Sequence, residues 1–134
     1  TGTPEDIINA NKAILENIVP EFKGEKDTAV SIEGKVSLGN ETWIGDEVKI
    51  KGPVIIGDKC KISGDTIIGP NTSIGNECII SGGIIKDSII MNNCEIEKNV
   101  NLRNSIISSN SSIKQNKIKN EQVLLLGEGT KILF

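Results

Sequence analysis

One feature limits what this chain can become: an aliphatic residue returns every six residues from Val30 to about Ile118. The series runs Ile32, Leu38, Ile44, Ile50, Ile56, Ile62, Ile68, Ile74 and Ile80. Two five-residue steps lead to Ile85 and Ile90, and Ile96, Leu102, Ile107 and Ile113 follow. Two places before each stands something small or β-branched: Val30, Val36, Thr42, Val48, Val54, Cys60, Thr66, Thr72 and Cys78, then Gly83, Ser88, Cys94, Val100, Ser105 and Ser111. A fixed short period marks a solenoid, and a hexad marks a β-helix.

The reason lies in strand geometry. Side chains alternate between faces, so residues i−2 and i point inward together while i−1 and i−3 point outward. Two or three residues remain to turn a corner, where Gly, Asn and Asp accept a positive φ. Three hexads close one coil of a triangular prism, and successive coils pair as parallel strands about 4.8 Å apart. With the two short steps allowed for, three interior columns emerge. One is Ile44, Ile62, Ile80, Ile96, Ile113; the second Ile32, Ile50, Ile68, Ile85, Leu102; the third Leu38, Ile56, Ile74, Ile90, Ile107. The prediction is an all-β solenoid of about five coils. A sandwich of alternating strands has no cause to hold one period so long. The spacing leaves the hand of coiling open.

Ile stacks on Ile without aromatic bulk, which suits a chain with one Trp, two Phe and no Tyr. A net charge of −3, scattered lysines and few aromatics argue against nucleic-acid binding. No apolar run reaches the length of a membrane span. No signal peptide is visible, and a cytoplasmic location is expected. Cys60, Cys78 and Cys94 fall on one inward column, one coil apart. They read as a reduced, buried column: parallel Cβ vectors oppose a disulfide, and a metal would need convergent ligands.

Three segments are expected. Residues 1–22 hold a helix: Thr3 caps, Pro4 takes the first helical position and Asp6 completes a capping-box-like pattern. Ile7, Ile8, Ile14, Leu15 and Ile18 form its apolar stripe, and it should end by Val19, before Pro20. That stripe would lie on the first coil, closing an open end, or on another domain. Glu21–Thr28 reads as a connector, and residues 23–118 form the β-helix. Residues 119–134 hold two short apolar strands, around Val123–Leu126 and Lys131–Phe134, as a capping or docking arm.

Outward positions carry a second message. Trp43, Ile55, Ile67, Ile84, Ile89 and Ile106 are candidate interface residues, with Ile55, Ile89 and Ile106 on one prism face and Ile67 and Ile84 on another. The face of Ile55, Ile89 and Ile106 is either a contact between subunits or a surface beneath the terminal helix or arm. Catalytic groups are scarce. There is no histidine for general-base work near neutral pH and no phosphate-binding loop. The carboxylates Glu33, Asp46, Asp58, Asp65, Glu77 and Asp87 sit mostly at corners, so no residue is assigned to catalysis, cofactor or metal.

The opening Thr1-Gly2-Thr3-Pro4-Glu5-Asp6-Ile7-Ile8-Asn9-Ala10-Asn11 resembles the end of the catalytic domain of sugar-1-phosphate nucleotidyltransferases. Those enzymes continue into a helix and a hexapeptide-repeat domain, and the likeness is closest to the long form of glucose-1-phosphate thymidylyltransferases. Leu124-Leu125-Leu126-Gly127-Glu128-Gly129-Thr130-Lys131-Ile132 resembles their tail. The resemblance implies a left-handed parallel β-helix. It implies a parent enzyme that joins a sugar 1-phosphate to a nucleoside triphosphate with Mg²⁺, and a C-terminal domain that supports oligomerisation, most readily as a trimer, and packs on its own catalytic domain. The family's nucleotide loop and metal-binding Asp have no counterpart here, so this chain alone is expected to be inactive and to need no cofactor. The alternative is an acetyltransferase acting on a sugar amine with acetyl-CoA. The missing histidine, which such repeat enzymes use at subunit interfaces, speaks against it.

Overall fold

A computed structural model describes residues 2–97, 100–114, 125–126 and 131–133. The hexads become short parallel strands arranged in three sheets, the faces of a prism of about five coils. The first face stacks Glu25–Lys26, Trp43–Ile44, Lys61–Ile62, Ile79–Ile80, Glu95–Ile96, Ser112–Lys114 and Lys131–Leu133. The second stacks Ser31–Glu33, Lys49–Lys51, Thr66–Ile68, Gly83–Lys86 and Asn101–Arg103. The third stacks Val36–Leu38, Val54–Ile56, Thr72–Ile74, Ile89–Ile90, Ile106–Ile107 and Leu125–Leu126.

Register follows the three columns rung by rung. Ile44 pairs with Ile62, Ile62 with Ile80, Ile80 with Ile96 and Ile96 with Ile113. The second column is paired from Ile32 to Leu102 and the third from Leu38 to Ile107 in the same way. Nearly all of these side chains are fully buried, each contributing about 1.5–3 kcal/mol through burial. The first five-residue step is absorbed around Gly82 and Gly83, at φ 137° and 101°, and the second around Asp87, at φ 50°. At Gly83 a side chain would strike the backbone of Val100, so the small inward position holds no side chain there.

The small positions do more than fill space. Thr42 Oγ1 donates to the Gly57 carbonyl at 2.6 Å, and Ser111 Oγ to Ser108 at 2.6 Å. Between them Cys60, Cys78 and Cys94 donate from Sγ to the carbonyls of Gly75, Met91 and Ser108 at 3.0, 3.1 and 3.2 Å. Thr72, Ser88 and Ser105 serve the next corner likewise, bonding Pro70, Lys86 and Arg103 carbonyls. Corner carbonyls are thus satisfied from inside, as buried polar groups require. Among the described residues no buried side-chain nitrogen or oxygen lacks a partner.

At the corner between third and first faces the N–H of Asn40 donates to Asp58 Oδ1, that of Asp58 to Asn76 Oδ1 and that of Asn76 to Asn92 Oδ1, at 2.8–2.9 Å. The left-handed positions that follow are not reserved for Gly, Asn and Asp. Glu41, Glu47, Lys59 and Glu77 also hold φ between 56° and 68°. Pairing to the coils above and below fixes the corner and overrides the residue's own preference.

The helix α1 spans Pro4–Glu16, with Asp6 N–H bonded to Thr3 Oγ1 at 3.1 Å and Pro4 in the first turn. It stops at Asn17, earlier than Pro20 alone would require. It does not close an open end; it lies along the third face. Asn11 accepts from Ser73 Oγ at 2.8 Å, and Lys12 pairs with Asp87 at 3.7 Å. Lys35 Nζ reaches the Glu16 carbonyl at 2.9 Å. A hollow joins Thr3, Ile8 and Lys12 to Asn104. α1 therefore descends from the level of Asn104 to that of Lys35, against the advance of the coils. Only Ile8 and Leu15 of the expected stripe are buried, whereas Ile7 and Ile14 are 45% and 64% exposed. Ile8, Asn11 and Leu15 share one helical stripe, and Asn11 is bonded to the sheet.

The connector is itself structural. Leu38 N–H donates to the Glu21 carbonyl and Lys23 N–H to the Leu38 carbonyl, at 2.8 and 2.9 Å, which begins the first coil. The two C-terminal strands pair with the last coil rather than with each other: Leu125–Leu126 continues the third face and Lys131–Leu133 the first. The rest of the expected arm lies outside the described residues.

Candidate interaction surfaces

The outward residues at i−1 form one row per face. On the third face the row is Ile55, Ser73, Ile89, Ile106, neighbours in register. Ser73 carries the bond to Asn11, so α1 lies over this row. A helix rises 1.5 Å per residue against about 4.8 Å per coil, which sets Leu15 near the level of Ile55 and Ile8 near that of Ile89. Ile55 and Ile89 are half-buried, and Ile106 is 8% exposed.

On the second face Ile67 and Ile84 are neighbours, flanked by Lys49 and Asn101 in the same row. Both are half-buried without α1. Beside them lies a shallow hollow of about 210 Å³, lined by Ser31, Glu33, Lys49, Lys51 and Ile67 among others. The row is bordered by the cations Lys49, Lys51, Lys86 and Arg103.

On the first face the row is Glu25, Trp43, Lys61, Ile79, Glu95. Trp43 is half-buried, with Lys61 Nζ 5.9 Å from its ring centroid. Its six-membered ring lies against Gly45, where a Cβ would come within 2.8 Å of the ring. The ring separates two clefts. One, of about 560 Å³, is lined by Lys23, Gly24, Glu25, Asn40, Glu41 and Thr42. The other, of about 550 Å³, is lined by Glu41, Lys59, Cys60 and Lys61.

The six expected interface residues therefore occupy three separate surfaces, one of them beneath α1. Ile79, an outward position of the hexad, is exposed as well; sequence reasoning missed Met91, also exposed, and the clefts beside Trp43. Those clefts gather residues from three coil levels, a grouping no single hexad reveals.

The thiol column is inward and sealed. Cys78 N–H donates to Cys60 Sγ at 3.4 Å, and all three cysteines are free and buried. Sulfur neighbours at Cys60 and Cys94, together with burial, push the Cys78 thiol well up. Among the described residues no three His, Cys, Asp or Glu side chains converge as metal ligands, and no helix is long and apolar enough to cross a membrane.

Compared with known proteins, the sequence pattern of the GMPPB C-terminal domain family matches residues 50–133. No curated protein matches the chain.

Proposed function

Because the chain belongs to the GMPPB C-terminal domain family, a nucleotidyltransferase-type C-terminal domain, we propose that it is the scaffold of a sugar-1-phosphate nucleotidyltransferase whose catalytic domain precedes it. The parent reaction joins a sugar 1-phosphate to a nucleoside triphosphate and releases pyrophosphate. The resemblance of the opening eleven residues and of residues 124–132 favours glucose 1-phosphate and dTTP. The observation that carries the reading is the family match over 50–133, which takes in most of the coils. The Mg²⁺ of that reaction is assigned to the catalytic domain.

The scaffold's task is assembly in the cytoplasm, as a trimer. Its second face supports that reading: Ile67 and Ile84 are adjacent, outward and not covered by α1. Adjacent outward apolar residues suit a contact between copies.

The test compares the complete gene product with this 134-residue chain. Each is supplied with Mg²⁺, a panel of nucleoside triphosphates and glucose or mannose 1-phosphate, and pyrophosphate is measured. Release by the complete product, greatest with dTTP and glucose 1-phosphate, and none by the chain is expected. Turnover by the chain alone, or none by the complete product, overturns the reading. Another preferred pair overturns only the thymidylyl assignment.

A further inference from the structure

We propose that the trough around Trp43 binds a nucleoside diphosphate. Trp43 is the single Trp of a chain with three aromatic residues, and it points outward. An indole turned toward solvent leaves apolar surface unburied, which invites a flat partner. The wall beneath it is shaped to keep it flat. Gly45 is two residues on, so it faces the same way, and any side chain there would collide with the ring. Successive bases stack on such platforms whatever their identity, because every base has a π face.

The surroundings supply the rest of the ligand's chemistry. Both clefts open at Trp43 and share Glu41, so together they make one trough. Lys59 and Lys61 lie on one side, and Asn40, Glu25 and Glu41 on the other or at the centre. A base laid on Trp43 takes the place over the ring where the Lys61 ammonium now sits at 5.9 Å. That frees Lys61 to join Lys59 on the diphosphate as point charges. The Glu41 carboxylate, between the two, is placed to accept from ribose hydroxyls.

This inference concerns the chain by itself. It can fail while the scaffold reading stands, and the reverse. Trp43 is also its own reporter. Fluorescence excited at the red edge of indole absorption is titrated with GDP, UDP, inorganic pyrophosphate and glucose, each up to about 2 mM. Saturable quenching by GDP or UDP, absent with pyrophosphate and glucose, is expected. Calorimetry on Lys61→Ala and Lys59→Asn, both exposed and with Asn suited to its φ, should show affinity down at least tenfold with an unchanged circular dichroism spectrum. Trp43→Ala should abolish binding. No saturation, equal quenching by pyrophosphate, or affinity indifferent to Lys59 and Lys61 overturns the proposal.

Discussion

At the corner leading back to the first face, one left-handed position is filled in turn by Glu41, Lys59, Glu77, Asn93 and Asn110. An L-residue pays about 1–2 kcal/mol for that conformation, and Asn less than Glu. Glu77 is exposed and lies outside the Trp43 trough, so Glu77→Asn should stabilise the fold by about 0.5–1 kcal/mol. Thermal denaturation should show a midpoint rise of about 2–5 °C. The opposite holds at Gly57: a methyl there meets the Asn76 side chain and the Gly75 backbone, and Gly57→Ala should cost about 1–3 kcal/mol. The thiols make a third case. Each is sealed in the column and donates to a carbonyl, so none should react with an aromatic disulfide reagent at pH 8 in the folded chain. All three should react once the chain is unfolded in guanidinium. At this scale the interior was readable beforehand, because a residue's place in the hexad settles whether it faces in or out. The tolerance of corners for Glu and Lys was not, since neighbouring coils impose it.

α1 shows what a single element leaves unsaid. Its sequence presents four large apolar residues across a broad stripe, and both halves of that stripe look equally fit for burial. The choice is made by the third face, where Ser73 interrupts a row of isoleucines and bonds Asn11. That turns Ile8 and Leu15 inward and leaves Ile7 and Ile14 in solvent. Leu15→Ala should therefore cost about 2–4 kcal/mol, whereas Ile14→Ala should stay within about 0.5 kcal/mol. Equilibrium urea unfolding of the two variants checks the contrast. Equal effects would mean that α1 sits differently. The Lys12–Asp87 pair is partly exposed at 3.7 Å and should add little, so Lys12→Ala serves as a near-neutral control.

For the whole molecule the period has a direct test. Removing Lys59–Asn76 takes out one complete coil and joins Asp58 to Glu77, which takes the corner position of Lys59. All three columns survive, and a β circular dichroism spectrum with cooperative melting is expected at reduced stability. Removing Lys59–Ile67 takes out half a coil and leaves only Gly57 and Asp58 between Ile56 and Ile68, too few residues to turn a corner and lay the next strand. That chain should fail to fold. Assembly is tested on the second face: if copies meet there, Ile67→Glu with Ile84→Glu should lower the native mass by light scattering while the spectrum holds. An unchanged mass would remove that face from the contact. The prism was legible because every coil repeats the same instruction. The surfaces were less so, because the Trp43 trough and the α1 seat each join residues far apart in sequence.

The downward course of α1 along the third face also bears on the order in which the chain is made. The helix leaves the ribosome before the coils it packs on, yet the level at which its upper end rests includes Asn104, which appears much later. At about 5–20 residues per second, Leu15 waits on the order of 2–8 s for Ile55, and Ile8 on the order of 4–16 s for Ile89. In that interval the nascent chain carries a helix with an unburied apolar stripe and a stack with an unpaired strand edge, both prone to aggregation. Synthesis, more than the finished prism, is where this protein has to be protected.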